Sequence, residues 1–117
     1  MLYADESPPT LAVLQITRLP DPAGGIWIGL DGELDLATAE LLDTALASVP
    51  DGQPVTLDLT AVTFADCAGL GCVLNWARRM RRNGRRLRVG RQLGRQVARL
   101  VDLLGAERVL WPDDDSV

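Results

Sequence analysis

Residues 55–77 read VTLDLTAVTFADCAGLGCVLNWA, and this stretch decides the class of fold. Apolar Val55, Leu57 and Leu59 alternate with polar residues, and the β-branched content favours a strand. Residues 61–66 are expected to form a loop. From Gly69 onward, apolar residues recur at helical spacing, so we expect a helix that buries one face. That face consists of Leu70, Val73, Leu74 and Ala77.

The segment that follows continues the alternation of helix and strand. The helix is expected to stop at Asn83-Gly84, where a left-handed residue is tolerated. Residues 85–90 are predicted to form a short strand, and residues 108–111 a last strand. Between them, Val97, Leu100, Val101 and Leu104 predict a third helix that ends at Gly105.

The N-terminal half begins with a predicted hairpin. Residues 11–18 alternate well enough for a half-buried strand, and the Pro- and Gly-rich residues 20–25 form a turn before a second strand over 26–30. A bend is expected at Asp31-Gly32. The next helix is predicted from Leu42, Ala45, Leu46 and Val49, and it should end at Pro50-Asp51-Gly52.

This order of elements predicts one α/β domain. Strands that alternate with helices after a hairpin are typical of a mixed, mostly parallel sheet with crossover helices packed against it. We expect an N-terminal tail over residues 1–9, the domain over 10–111, and an acidic C-terminal tail over 112–117.

Composition favours a cytoplasmic globular protein. Of the 117 residues, 47% are hydrophobic and 24% are charged, which is ordinary for one folded core. The sequence contains neither a secretory signal pattern nor the roughly 18 apolar residues that a membrane span needs. With no histidine to complete a zinc set around the two cysteines, we expect no metal and no cofactor.

Charge is unevenly distributed along the chain. The net charge is −9 over residues 1–60 and +5 over residues 61–117, where all eleven basic residues are arginine. Arginines over residues 78–99, together with Trp27, Trp76 and Trp111, leave open a nucleic-acid-binding domain. No DNA- or RNA-binding motif accompanies them, so a solvated basic face and packed tryptophans are the preferred interpretation.

No catalytic pattern stands out. The chain has no histidine base, no phosphate-binding P-loop and no Gly-x-Ser-x-Gly turn, so we predict that it is not an enzyme. Its many carboxylates leave a paired-acid site formally open, although none has a distinctive spacing.

Residues 63–71 place a strand end directly before a helix. Backbone N–H groups at a helix start favour an anion, and Asp66 stands where a capping carboxylate accepts them. Gly69 and Gly71 would allow a backbone to approach closely. Two interpretations stay open: a simple cap with packing glycines, or a binding surface.

Four blocks of sequence, in this order, resemble STAS domains, the family of anti-sigma factor antagonists. They are residues 32–39 (GELDLATA), 55–59 (VTLDL), 66–71 (DCAGLG) and 97–105. The resemblance implies a module that binds a serine-kinase-type anti-sigma factor and so releases a sigma factor. The partner-binding residues it implies are Asp35, Asp66, Cys67, Ala68, Gly69 and Leu70.

The chain departs from the family at its regulatory position. Family members normally carry Asp-Ser-Ser-Gly or Asp-Ser-Thr-Gly, and the second hydroxyl residue is phosphorylated to break the complex. Here Cys67 replaces the first hydroxyl residue, and Ala68 stands at the phosphoacceptor position without an oxygen to modify. We therefore expect either an antagonist that is not switched at Ala68, or redox control through Cys67.

Other outcomes are compatible with the same sequence. The chain resembles STAS subunits generally, so it would also fit as a scaffold in another signalling or lipid-transport assembly. A Cys67–Cys72 disulfide is not expected, because five residues of helix hold the two Cα atoms roughly 8–9 Å apart.

Overall fold

The computed structural model describes residues 14–112, and within them a hairpin is followed by alternating helices and strands. The strands are β1 (Leu14–Pro20), β2 (Ile26–Leu34), β3 (Val55–Ala65) and β4 (Leu87–Val89). The helices are α1 (Leu36–Ala47), α2 (Cys67–Arg82), α3 (Arg95–Leu104) and the short α4 (Glu107–Leu110). The predicted N-terminal tail, the predicted C-terminal tail beyond Pro112, and residues 11–13 of the predicted first strand lie outside the described residues.

The four strands form one sheet in the order β1-β2-β3-β4. β1 pairs antiparallel with β2, whereas β2–β3 and β3–β4 are parallel. Helices cross over between the parallel strands, as α1 does between β2 and β3. The predicted mixed, mostly parallel α/β fold is therefore confirmed.

One face of the sheet carries the hydrophobic core. On β2 and β3 the first residues alternate between buried and half-buried, and α1 and α2 pack against each other and against the sheet. The largest side chains that are almost completely buried include Ile28, Leu30, Leu34, Leu57, Leu59 and Leu70. Burial of this kind contributes about 1.5–3 kcal/mol per side chain before entropy is counted.

Two predictions of irregular structure on neighbouring strands are wrong. Residues 61–66 were expected to form a loop, and Asp31-Gly32 a bend, yet β3 continues to Ala65 and β2 runs straight through. The register steps from Gly29↔Asp58 to Asp31↔Ala61, and again between Gly32 and Glu33. Each step adds one residue to β3, so two bulges break the alternation by which the strand would have been recognised.

The C-terminal predictions hold for α3 in part and fail for the last strand: of the four residues predicted to form the buried face of α3, Leu100 is half-buried and Leu104 is 45% exposed. Val97 and Val101 are buried, and α3 ends at Gly105 in a left-handed conformation with φ of 62°. Residues 108–111 were expected to form a strand, but Glu107–Leu110 form a helical turn whose Leu110 is buried. The N–H groups of Val109 and Leu110 both donate to the carbonyl of Ala106, which closes this turn.

Candidate functional site

β2 and β3 end side by side, and each is followed at once by an aspartate that starts a helix. Leu34 and Ala65, the last residues of the two strands, are register partners. Asp35 then caps α1 and Asp66 caps α2, and the N–H of Asp66 donates to the carbonyl of Leu34 at 2.9 Å. The parallel pairing thus brings the N-termini of α1 and α2 together at the C-terminal ends of β2 and β3.

Asp35 forms a capping box with Thr38. Its carboxylate accepts the Thr38 N–H at 3.1 Å, and the Thr38 hydroxyl oxygen accepts the Asp35 N–H at 3.0 Å. The same hydroxyl donates to the carbonyl of Glu33 at 2.7 Å, and Thr38 is buried. The spacing of three residues is that of a capping box, here with Asp at the cap and Thr at the third helical position, and no sequence pattern had pointed to Thr38.

Asp66 caps its own helix and also reaches the neighbouring one. Oδ1 accepts the Gly69 N–H at 2.8 Å, while Oδ2 accepts the Leu36 N–H at 3.2 Å. The half-buried carboxylate therefore satisfies a donor at each of two helix starts, which are groups that would otherwise attract an anion. The predicted cap at Asp66 is therefore present, and a binding surface at this helix start stays a prediction.

Gly69 serves internal packing. A Cβ placed on it would lie 2.1 Å from the carbonyl oxygen of Leu34 and 2.6 Å from the nitrogen of Asp35. At Gly71 a Cβ would meet nothing within 4 Å. The close approach predicted for both glycines therefore occurs only at Gly69, and it is made by the chain's own backbone.

The implied partner-binding residues divide between surface and core. Cys67 and Ala68 are exposed, and Asp35 and Asp66 are half-buried beside them. Gly69 and Leu70 are both buried, and Leu70, whose side chain is 0% exposed, belongs to the core, so neither presents a side chain at this surface. Partner binding by the other four residues stays a prediction.

An exposed apolar residue that the sequence analysis did not name joins the patch. Leu36, whose N–H is bound by Asp66, is 76% exposed at the start of α1. We call Leu36, Ala37, Cys67 and Ala68 the helix-start surface. All four are exposed and uncharged, and they occupy the first two positions of α1 and α2. Phe64, two residues before Asp66, is also 41% exposed.

Both cysteines are free thiols, in different environments. Cys67 is exposed, whereas Cys72 is half-buried with its Sγ 3.7 Å from the carbonyl oxygen of Ala39. Burial raises the pKa of the Cys72 thiol, and the carboxylate of Asp43 raises it further. Redox control through Cys67 stays a prediction.

Gln96 ties α3 to the end of β3. Its side-chain oxygen accepts the Ala65 N–H at 2.8 Å, and its side-chain nitrogen donates to the Ala65 carbonyl at 2.8 Å. These two bonds satisfy the backbone groups of Ala65, directly before Asp66, in the way that a neighbouring strand otherwise would. No sequence pattern pointed to Gln96, because its role depends on a contact between residues 31 positions apart.

Two of the three tryptophans suggested for base stacking, Trp76 and Trp111, have structural contacts. Trp76 is 4% exposed, so it offers no face to a base. The indole N–H of Trp111 donates to the carbonyl of Val89 at 2.8 Å, and the Arg91 guanidinium lies 5.2 Å from the centre of its ring. Among residues 14–112, no helix is long and apolar enough to span a membrane.

Comparison with known proteins identifies relatives of this architecture. A family described as "Mlab, STAS domain" matches residues 22–112. A search among curated proteins gave no match.

Three solved structures are similar in fold. An anti-sigma factor antagonist from Mycobacterium paratuberculosis shares 23% identity over 90% of this chain and 87% of that one, with a TM-score of 0.62. The anti-sigma factor antagonist SpoIIAA in its unphosphorylated form shares 18% sequence identity over 78% of this chain and 81% of that one, and its TM-score is also 0.62. A STAS-domain antisigma-factor antagonist from Rhodobacter sphaeroides shares 19% sequence identity over 65% of this chain and 84% of that one, with a TM-score of 0.53.

Proposed function

Since the chain belongs to the STAS domain family, we propose that it is an anti-sigma factor antagonist. In this proposal it binds a kinase-type anti-sigma factor through the helix-start surface and so releases a sigma factor. It acts by protein–protein recognition and performs no catalysis. The similar solved structures include three proteins described as such antagonists, which supports this choice of class.

The observation that carries the proposal is the exposure of Cys67 and Ala68 at the paired helix starts. Small side chains at this edge allow a partner to approach the backbone closely. Leu36, at 76% exposure, adds apolar area that would be removed from water on binding. Asp66 holds both helix starts in place, so little ordering would be needed when a partner docks.

The residue at position 68 determines how the complex would be regulated. A serine at this position would attack the γ-phosphorus of ATP through Oγ, form an O–P bond, lose its proton and release ADP. The product would place about −1.5 to −2 charges within an uncharged contact surface. Ala68 has no oxygen, so we propose that binding is not reversed by phosphorylation at this position.

The test compares two alanine-to-serine variants. Ala68 and Ala37 each stand two residues after the capping aspartate of their helix, and both are exposed. Purified wild type, Ala68→Ser and Ala37→Ser would be incubated with candidate anti-sigma kinases, with and without ATP. Bound kinase and phosphate would then be identified by mass spectrometry.

We expect all three proteins to bind one kinase in the absence of ATP. With ATP, Ala68→Ser should be phosphorylated and released, while wild type and Ala37→Ser remain bound. Failure of all three to bind any anti-sigma kinase would reject the antagonist function. If ATP released the wild type, the antagonist function would stand, but the proposal that phosphorylation does not reverse binding would be rejected.

A scaffolding subunit is the second candidate function. The matching family is described by "Mlab, STAS domain", and a surface without a phosphoacceptor suits a subunit that stays in its assembly. Such an assembly could serve signalling or lipid transport. Co-purification with a multi-subunit complex that contains no anti-sigma kinase, abolished by Ala68→Arg, would favour this function over the first.

A further inference from the structure

The exposed side of α2 continues away from the helix-start surface as a row of small and basic residues. Ala68 of that surface is followed along the helix by Gly71, Asn75, Arg78 and Arg82. At 100° per residue these five positions fall within an arc of about 80° around the helix axis. Gly71 is half-buried and the other four residues are exposed. We call these five residues the α2 stripe.

The two arginines at the far end of the stripe carry charge that no carboxylate of the described structure pairs with. Arg78 donates to the side-chain oxygen of Asn75 at 3.2 Å, which is a neutral acceptor. Within residues 14–112, neither Arg78 nor Arg82 forms an ion pair. α2 itself contains no aspartate or glutamate. The stripe therefore presents a positive field to a partner.

The neighbouring arginines have partners within the chain and are not counted in this field. Arg79 lies 3.9 Å from the carboxylate of Asp43 on α1. Arg81 donates to backbone carbonyls in β4 and α4. Arg85 lies 3.5 Å from the carboxylate of Asp51. The charge of the stripe is thus that of its own two arginines.

The stripe begins inside the surface proposed to bind the anti-sigma factor. A rise of 1.5 Å per residue places the Cα atoms of Ala68 and Arg82 about 21 Å apart. A protein interface of ordinary size covers about 800 Å² of each partner and is therefore roughly 30 Å across. An interface that starts at Ala68 and extends along α2 includes both arginines at its rim, where charged residues speed association and select the partner.

The composition of the stripe fits a protein surface better than a lipid surface. Helices that bind membranes place a row of large apolar side chains next to their basic residues. In α2 the large apolar side chains face the core, as Leu70 and Val73 do at 0% exposure. Between its ends the stripe holds only Gly71 and Asn75, and a Cβ on Gly71 would meet nothing within 4 Å. A partner's side chains have room to lie against the helix here.

We propose that the α2 stripe extends the partner-binding surface, and that its occupant is an acidic patch of the anti-sigma kinase whose carboxylates pair with Arg78 and Arg82. The inference rests on the function proposed above and deepens it by stating the charge of the partner. Each guanidinium donates two parallel N–H bonds that match a carboxylate. Because both arginines lie at the rim, they act on the rate of association more than on the rate of dissociation.

The first test uses the absence of lysine from the chain. All twelve basic residues are arginine, so Arg78→Lys and Arg82→Lys each introduce one lysine amine and keep the positive charge. The probe is the kinase that the wild type retains in the pull-down described above. A carbodiimide joins an amine to a carboxylate that touches it, and mass spectrometry identifies the linked residues. The matched control is Arg99→Lys, at an exposed position on α3.

We expect both stripe lysines to be coupled to aspartate or glutamate of the kinase, and the control lysine to give no coupling. In a second test, Arg78→Gln/Arg82→Gln should lower the association rate constant at least about five-fold at about 50 mM salt, and less than about two-fold at about 500 mM. The control pair Arg95→Gln/Arg99→Gln has the same spacing on α3 and should change this rate less than about two-fold at either salt concentration. Urea denaturation verifies that both double variants are folded.

The possible failures are distinguishable. If the wild type retains no kinase, the antagonist function is rejected and this inference with it. If a kinase is retained but the stripe lysines couple no better than the control, or the association rate does not change, the antagonist function stands and the α2 stripe lies outside the interface. Binding to phosphatidylserine vesicles that Arg78→Gln/Arg82→Gln abolishes, with an unchanged rate for the kinase, would overturn the proposal and assign the stripe to a lipid surface.

Discussion

The carboxylate of Asp66 binds the backbone of Leu36, thirty residues earlier in the chain, through an N–H···Oδ2 bond of 3.2 Å. With Oδ1 on the N–H of Gly69, one side chain satisfies unpaired donors on two helices. The helix-start surface therefore depends on a residue that contributes little to it directly.

Removing this carboxylate should destabilise the domain more than the loss of an ordinary cap. A single cap contributes about 1 kcal/mol, so Asp66→Ala, which breaks two such bonds, should lower the free energy of unfolding by about 2–3 kcal/mol. Asp66→Asn keeps one acceptor oxygen and should lose about half as much. Urea denaturation measures both. Asp43→Ala is the control: it removes an exposed ion pair with Arg79 at 3.9 Å and should lower the free energy of unfolding by under about 0.5 kcal/mol. An equal loss in Asp66→Ala and Asp43→Ala would contradict the bridging role of Asp66.

The two glycines at the start of α2 should respond oppositely to alanine. At Gly69 the new Cβ would collide with backbone atoms of Leu34 and Asp35, so Gly69→Ala should cost about 3 kcal/mol or more. Gly71→Ala meets open space and should stabilise the helix by about 0.5–1 kcal/mol. Thermal denaturation of both proteins gives the comparison. A tolerated Gly69→Ala would show that the two helix starts do not need their observed separation.

Loss of the Gln96 side chain should loosen the strand end before Asp66. Gln96→Ala leaves the N–H and carbonyl of Ala65 without their partners, so we expect a loss of about 1–3 kcal/mol. Hydrogen exchange at the Ala65 amide should accelerate in parallel. Arg99→Ala, an exposed change on the same helix, is the control. Unchanged protection at Ala65 would mean that the side-chain bonds do not hold this strand end.

The two thiols should react with iodoacetamide at different rates. Cys67 is exposed, whereas burial and the nearby Asp43 carboxylate raise the pKa of Cys72 and keep its thiol protonated at higher pH. At about pH 8 the wild type should be alkylated rapidly once, and Cys67→Ser should react at least about ten-fold more slowly. In urea both thiols should react alike. Rapid labelling of folded Cys67→Ser would show that Cys72 is accessible.

Local patterns predicted the elements that obey a single period. The apolar stripe of α2 and the paired valines of α3 are buried where their spacing places them. β3 was cut short because its two bulges put Thr60 and Ala61, and then Thr63 and Phe64, side by side on exposed positions. A bulge is defined by the pairing with the neighbouring strand, so the alternation of apolar and polar residues within β3 alone cannot reveal it.

The candidate site was predicted in part for a similar reason. The capping role of Asp66 follows from its position between a strand and a helix, which is local information. Its bond to Leu36, the collision that excludes a side chain at Gly69, and the pairing of Gln96 with Ala65 all join residues about thirty positions apart. Leu70 was grouped with the exposed Ala68 because the two are close in sequence. Each residue of a helix is rotated by roughly 100° from the one before, so residues this close in sequence can face the core and the solvent.

The shortness of β4 bears on how the protein behaves at high concentration. β4 pairs only with residues 55–57, so most of the long parallel strand β3 has no strand on that side. A bare strand of this length is a template for pairing with other chains and for aggregation. The Gly90 N–H on the carbonyl of Leu57, and Gln96 on both polar groups of Ala65, occupy that edge at two points along it. Gln96 thus covers polar groups of an otherwise unpaired strand edge, in addition to ordering the end of β3.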